Sequence, residues 1–130
     1  MTRPAFVDQT ILYTPGGHEK GNCTEAAVAS ILGIALADVP DFRANGADAM
    51  NFWDTFEAFL NSRGFHPLRL PGNWIPDALY LASGLSPRGV HHMVIMRGGK
   101  LVHDPHPSKA GIADPDNIWV LIPFDPAERA

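Results

Sequence analysis

The only cysteine of the chain, Cys23, stands in the sequence Gly-Asn-Cys-Thr-Glu-Ala-Ala-Val-Ala-Ser, at the predicted start of a helix of small residues. Unpaired backbone N–H groups and the positive end of the helix dipole stabilise a thiolate at this position. Asn22 is predicted to cap the helix, and Glu25 completes a pattern close to a capping box. A free cysteine is most often a buried small hydrophobe, so Cys23 needs partners before it can be interpreted as a nucleophile.

Candidate partners lie together in a later segment, residues 89–107. Apolar and β-branched residues on both sides of a Gly-Gly pair predict a β-hairpin there. A thiol nucleophile needs a base that takes its proton and an acceptor that holds the imidazole in the correct tautomer. The end of the hairpin away from the turn supplies both types of side chain: His91, His92, His103, Asp104 and His106.

The length of the hairpin loop decides which histidine meets the aspartate. A two-residue loop at Gly98-Gly99 places Asp104 on the face of His91, because side chains alternate along a strand. A three-residue loop that includes Arg97 makes His92 face Asp104 directly. The sequence fits both loops, so the hairpin alone leaves the identity of the base open.

These features together resemble the papain-like cysteine peptidase superfamily. The likeness rests on Gly-Asn-Cys before an Ala-rich helix, a strand that begins with His, and a strand that ends His-Asp-Pro-His-Pro, and it spans residues 9–107. The chain is similar to small members found in phages and bacteria and, more distantly, to the leader-peptide peptidase domains of bacteriocin exporters. The resemblance implies a triad with Cys23 as nucleophile, His92 as base and Asp104 as the residue that orients the base.

Two further residues are candidates for binding the oxyanion. In this superfamily a glutamine upstream of the cysteine usually donates to the oxyanion, and the resemblance assigns that role to Gln9. Fourteen residues separate Gln9 from Cys23, with a Pro-Gly-Gly turn between them. The amide of Asn22, or a nearby backbone N–H, is a second candidate because it stands beside the thiol. The expected reaction is hydrolysis of a peptide, amide or isopeptide bond through a thioester.

Two other functions stay open at this stage. His91, His92, His103, Asp104 and His106 are metal-ligand types, and three of them could hold zinc with an open position for water, although their spacing matches no strong zinc motif. A third hypothesis is a binding module that has a papain-like fold but is catalytically inactive, because a fold alone does not establish an activity. Arg88, in the turn before the His strand, could pair with a substrate carboxylate if it lies near a cleft.

The remaining sequence predicts one α+β domain over residues 1–130. Helices are predicted over 23–34 and 50–62, with a short extended segment over 7–13 before them. Strands are predicted over 65–70, 78–85, the two arms of the hairpin and 118–124, mostly antiparallel. In this papain-like arrangement the N-terminal helices pack on the sheet, and the helix start that carries Cys23 meets the strand ends that carry the His and Asp residues.

Composition limits the partners that we expect. The chain has 130 residues and a net charge of −4, which disfavours nucleic-acid binding. The longest apolar stretch, 26–37, is too short to span a bilayer, so no membrane partner is expected. A single cysteine and an N-terminus without an apolar signal region predict a cytoplasmic setting. The resemblance implies a peptide or protein substrate, and we expect a monomer. The thiol mechanism requires no metal and no organic cofactor.

Overall fold

A computed structural model of the chain describes residues 6–12, 21–43 and 49–127. Within these ranges lie two α-helices, α1 (Cys23–Leu32) and α2 (Ala49–Ser62), and a short 3₁₀ helix between them (Leu36–Asp38). Five strands follow: β1 (Phe65–Pro71), β2 (Tyr80–Leu85), β3 (His91–Arg97), β4 (Lys100–His103) and β5 (Asn117–Pro123). In these ranges no helix is long and apolar enough to cross a membrane.

The five strands form one sheet in the order β1-β5-β2-β3-β4, and every neighbouring pair is antiparallel. Both helices pack on one face of this sheet, which confirms the prediction of an α+β architecture with helices on an antiparallel sheet. The main core between them is built from helix and strand side chains, among them Val28, Ile31, Phe42, Phe56, Leu60, Leu81, Ile95, Trp119 and Leu121.

The ends of the elements differ from the sequence prediction by one or two residues, except before α1. Helix α1 ends at Leu32 because Gly33 adopts the left-handed conformation, with φ of 72°, and its N–H bonds the last carbonyls. Of the segment predicted to be extended over 7–13, residues 7–12 form no strand and bend at residues 10 and 11, and residue 13 lies outside the described ranges. Side chains and loop backbone groups, and not a partner strand, hold this segment: Ser30 Oγ accepts the N–H of Val7 at 2.9 Å, and the Ile11 carbonyl accepts the N–H of Asn22 at 3.1 Å.

The β3–β4 hairpin turns through a two-residue loop, Gly98-Gly99, with φ values of 58° and 81°. Only glycine adopts two consecutive positive φ values readily, which is why this pair makes the tight turn. Arg97 therefore pairs with Lys100. The three-residue loop is not formed, and in an unbroken ladder the observed loop would place Asp104 on the face of His91.

A β-bulge reverses that outcome. After the first two pairs of the hairpin the register shifts, so that Ile95 pairs with His103 and Val102 is the extra residue of β4. One inserted residue moves every following side chain to the opposite face of the sheet. Asp104, which follows the end of β4, therefore lies on the side of His92 even though the loop has two residues.

Candidate active site

Cys23 is the first residue of α1, and its partly buried thiol borders the same cavity as the His92 imidazole, with which it interacts electrostatically. Burial raises the pKa of the thiol. The hydrogen bond and the positive charge of His92 oppose this effect, assisted by bonds to the Met93 backbone and the Thr24 side chain. The net result is a Cys23 pKa below the usual value of a thiol, so the position favours a thiolate.

His92 connects the thiol to a carboxylate. Its Nε2 lies 2.5 Å from Oδ1 of Asp104, and both side chains are buried. Since Nε2 is occupied, Nδ1 is the ring nitrogen available to Cys23. Burial lowers the pKa of His92, but the hydrogen bonds and negative charges of Asp104 and Cys23 outweigh burial and raise the pKa to about 9. At neutral pH the arrangement therefore favours a thiolate paired with an imidazolium.

Asp104 is held by three donors. Besides His92, its Oδ1 accepts the backbone N–H of His106 at 2.8 Å, and its Oδ2 accepts the backbone N–H of Gly111 at 2.7 Å. Burial raises the pKa of this carboxyl, but the bonds from His92 and the two N–H groups lower it to about 2. The carboxylate is therefore ionised and fixed at neutral pH. The role of Gly111 was not predicted from the sequence. Its only signal is a glycine in a polar loop, and such a glycine does not indicate a donor to Asp104.

Gln9 also reaches the site. Its backbone N–H donates to the Pro105 carbonyl at 3.0 Å, and its buried side chain lines the same cavity as Cys23. Nε2 donates to the Ile11 carbonyl at 2.9 Å, while Oε1 has no hydrogen-bond partner within the described residues. An amide nitrogen carries two N–H groups, so one donor of Gln9 remains for a ligand.

Asn22 precedes α1 as predicted, but its side chain makes no capping hydrogen bond. Its Oδ1 instead accepts the backbone N–H groups of Thr10 at 3.0 Å and Ile11 at 2.9 Å, and its Nδ2 donates to Thr10 Oγ1. The N-terminal segment crosses the helix start and presents two consecutive N–H groups there, which compete with the helix for the amide oxygen. Asn22 thus fixes the segment that carries Gln9, while its Nδ2 uses one of its two N–H groups for Thr10 Oγ1.

The capping box predicted for Glu25 is not formed either. Glu25 is buried, and its Oε2 accepts the backbone N–H of Phe42 at 3.1 Å. Its Oε1 has no hydrogen-bond partner within the described residues, and burial raises the pKa of the carboxyl. The side chain therefore ties the loop after the 3₁₀ helix to α1 instead of closing the helix start.

Replacing Asn22 with alanine is expected to release the N-terminal segment. Two acceptor bonds and one donor bond are lost, which should lower the free energy of unfolding by about 1–2 kcal/mol. Amide hydrogen exchange at Thr10 and Ile11, measured by NMR, should accelerate selectively. Asn22→Asp is the matched control, because it keeps the acceptor oxygen and should keep exchange slow. Unchanged exchange in Asn22→Ala would show that the amide does not hold the segment.

The other histidines have separate partners. His91 Nε2 pairs with Asp116 Oδ2 at 2.8 Å in an exposed position, and His103 Nε2 donates to the Val7 carbonyl at 2.8 Å. His106 bonds within its own turn. Within the described ranges, no three His, Cys, Asp or Glu side chains are grouped so that they could hold a metal ion. The five residues of the zinc hypothesis are thus divided among different contacts.

A cavity of about 910 Å³ opens over the thiol. Aromatic side chains, Phe52 and Trp53, line one part of it, and cationic or imidazole side chains line another. Of its described lining residues, none is an Asp or a Glu. Besides Cys23, His92 and Gln9, the polar lining includes Arg43, Arg88, His91 and His106.

Separate parts of the chain therefore meet at this cavity, among them the N-terminal segment, the start of α1, α2, the start of β3 and the turn after β4. Comparisons with protein-family models, with curated proteins and with solved structures found no match to the chain. The geometry of the site itself carries the functional argument.

Proposed function

We propose that the protein is a cysteine-dependent hydrolase that cleaves an amide, peptide or isopeptide bond through a thioester. One observation carries the proposal: Cys23, at a helix start, borders the same cavity as His92, which lowers the pKa of its thiol and is bonded through Nε2 to the buried Asp104. Nucleophile, base and orienting carboxylate are the three parts that acyl transfer by a thiol requires.

The reaction would begin from the thiolate–imidazolium pair. The thiolate of Cys23 attacks the substrate carbonyl, and the negative charge that develops on oxygen is stabilised by N–H groups at the helix start and by the free N–H of Gln9. His92 then gives its proton to the leaving amine as the C–N bond breaks, which leaves a thioester on Cys23. Water attacks the thioester while His92 takes its proton, and the thiolate leaves to restore the enzyme.

A papain-like fold is the arrangement that we propose for these parts. Support comes from the order of the elements: a nucleophile at the start of the first described α-helix, a base on a strand of an antiparallel sheet, and the orienting carboxylate after the next strand. We further propose a peptide or protein substrate, and a cytoplasmic setting in which the single thiol stays reduced. The mechanism uses only side chains and backbone groups of the chain.

The proposal is tested by the reactivity of Cys23 towards iodoacetamide. Because the thiol pKa is lowered, the alkylation rate at about pH 6 should exceed that of free cysteine about tenfold or more. As pH rises towards about 9, where His92 loses its proton, the rate should rise less steeply than that of free cysteine. Mass spectrometry measures the reaction unambiguously, since the chain has one cysteine.

The same chain in concentrated urea is the control, and it should follow the pH profile of free cysteine. A folded protein that also followed that profile, or that reacted more slowly at every pH, would contradict the proposed function. A profile that depends on folding would show that the site, and not the sequence around Cys23, activates the thiol.

A further inference from the structure

Arg88 lies in the turn between β2 and β3 and borders the cavity that contains Cys23. Its Nη1 donates to Ser108 Oγ at 3.0 Å. A guanidinium has five N–H donors, and this is the one hydrogen bond that it makes within the described residues. In those ranges no carboxylate forms an ion pair with Arg88. The guanidinium therefore keeps its charge and most of its donors available at the edge of the cavity.

His106 stands beside Arg88 with a fixed tautomer. Its Nδ1 accepts the backbone N–H of Ser108 at 3.0 Å, so a neutral ring carries its proton on Nε2. Burial and the positive charge of Arg88 lower the pKa of His106, which favours the neutral ring. Nε2 makes no hydrogen bond within the described residues, which leaves it as a donor. Like Arg88, His106 borders the cavity.

Among the described residues, the side chains of Arg88 and His106 form no ion pair with a carboxylate. The protein has a net charge of −4, yet the described lining of the cavity includes no carboxylate. The nearby Asp104 is buried and committed to His92, and Asp116 pairs with His91. A charged guanidinium and a neutral imidazole N–H donor at the edge of one cleft are groups that bind a carboxylate.

We propose that Arg88 and His106 bind a carboxylate of the substrate on the leaving-amine side of the scissile bond. The proposal rests on the function proposed above. The subsite lies on the leaving-amine side because His92, as the general acid, must lie next to the nitrogen that it protonates. The ring of His106 is 6.1 Å from the ring of His92, edge to face, and therefore lies near that nitrogen. The carboxylate is either the C-terminal carboxylate of a peptide or an acidic side chain beyond the scissile bond.

Binding can be measured without any reaction. In a Cys23→Ala protein, three blocked dipeptides are titrated while the imidazole signals of His106 are followed by NMR: acetyl-Ala-Ala, acetyl-Ala-Ala-amide and acetyl-Ala-Asp-amide. A shift with the first alone identifies a C-terminal carboxylate, and a shift with the third identifies an acidic side chain. Equal shifts with all three, or with none, would overturn the proposed subsite. Because no thiol is present, the result does not depend on the proposed catalysis.

Reactivity gives a second measurement, with 3-maleimidopropionate and its neutral amide as matched thiol reagents. In Arg88→Gln the ratio of the rate constant for the carboxylate reagent to that for the amide should fall about five- to tenfold. Arg97→Gln removes the same charge from an exposed pair with Asp77 at the other end of β3, and it should leave the ratio unchanged. An unchanged ratio in Arg88→Gln, or an equal fall in both variants, contradicts the subsite. A wild-type thiol inert to the amide reagent would count against the catalytic proposal alone.

Discussion

Replacing His92 with alanine is expected to slow the alkylation of Cys23 by iodoacetamide about a hundredfold or more at about pH 6. His92 supplies both the hydrogen bond and the positive charge that lower the pKa of the thiol, whereas burial raises it. Without the imidazole the effect of burial is left largely unopposed, so the thiol pKa should rise above its usual value. The thiolate fraction at this pH then becomes very small.

Stopped-flow or mass-spectrometric rate constants in wild-type and variant protein give this comparison directly. His91→Ala is the matched control, because His91 is the adjacent histidine but pairs with the exposed Asp116. Its rate constant should stay within about twofold of wild type. If His92→Ala keeps the wild-type rate, or if His91→Ala loses as much, the base has been assigned to the wrong residue.

The local features of the site could be predicted from sequence because short-range rules decide them. Cys23 begins α1 as predicted, because the small residues that follow it are sufficient to predict where the helix starts. The apolar spacing that predicted the second helix agrees with α2 to within one residue. Helices packed on an antiparallel sheet follow from the order of these patterns along the chain.

The partner of His92 could not be derived from the hairpin alone. The Gly-Gly pair makes the two-residue loop, which by strict alternation would give Asp104 to His91. The bulge at Val102 reverses the faces, and nothing in the strand sequence requires an extra residue there. What fixes Asp104 lies further along the chain, since the N–H of Gly111 bonds its second oxygen. This bond joins Asp104 to a loop beyond the hairpin, which the alternation rule for the two strands does not include.

The capping prediction failed for a related reason. Asn22 and Glu25 satisfy a local rule for a helix start, but both side chains bond groups that are distant in sequence, the N-terminal segment and Phe42. A single hydrogen bond is worth about as much in a cap as in a tertiary contact, so the better geometry decides. In this protein the bonds of Asn22 to the N-terminal segment and of Glu25 to Phe42 also hold the segments that surround Cys23, including the one that carries Gln9.

Replacing Asp104 with alanine is expected to lower the free energy of unfolding by about 3–5 kcal/mol at about pH 5.5. The carboxylate is 1% exposed and accepts hydrogen bonds from His92, His106 and Gly111. Its removal leaves these buried donors without a partner, and a cationic His92 without its counter-charge. Asp104→Asn keeps an acceptor oxygen and should lose less. Both variants should lower the pKa of His92, which NMR titration measures directly.

The loss should also depend on pH with a definite sign. The pKa of Asp104 is lowered from 3.8 to about 2 in the folded protein, so its stabilisation is present above the higher value and is lost as pH falls towards the lower one. The pKa of His92 is raised from 6.5 to about 9, so its contribution is present below 6.5 and is lost as pH rises towards 9. Urea unfolding should therefore show the largest difference between wild type and Asp104→Ala between these limits, at about pH 4–6.5. Asp116→Ala, which removes an exposed carboxylate paired with His91, should cost less than about 1 kcal/mol throughout. A difference that does not change with pH would show that Asp104 stabilises the fold by packing and not as the charged partner of His92.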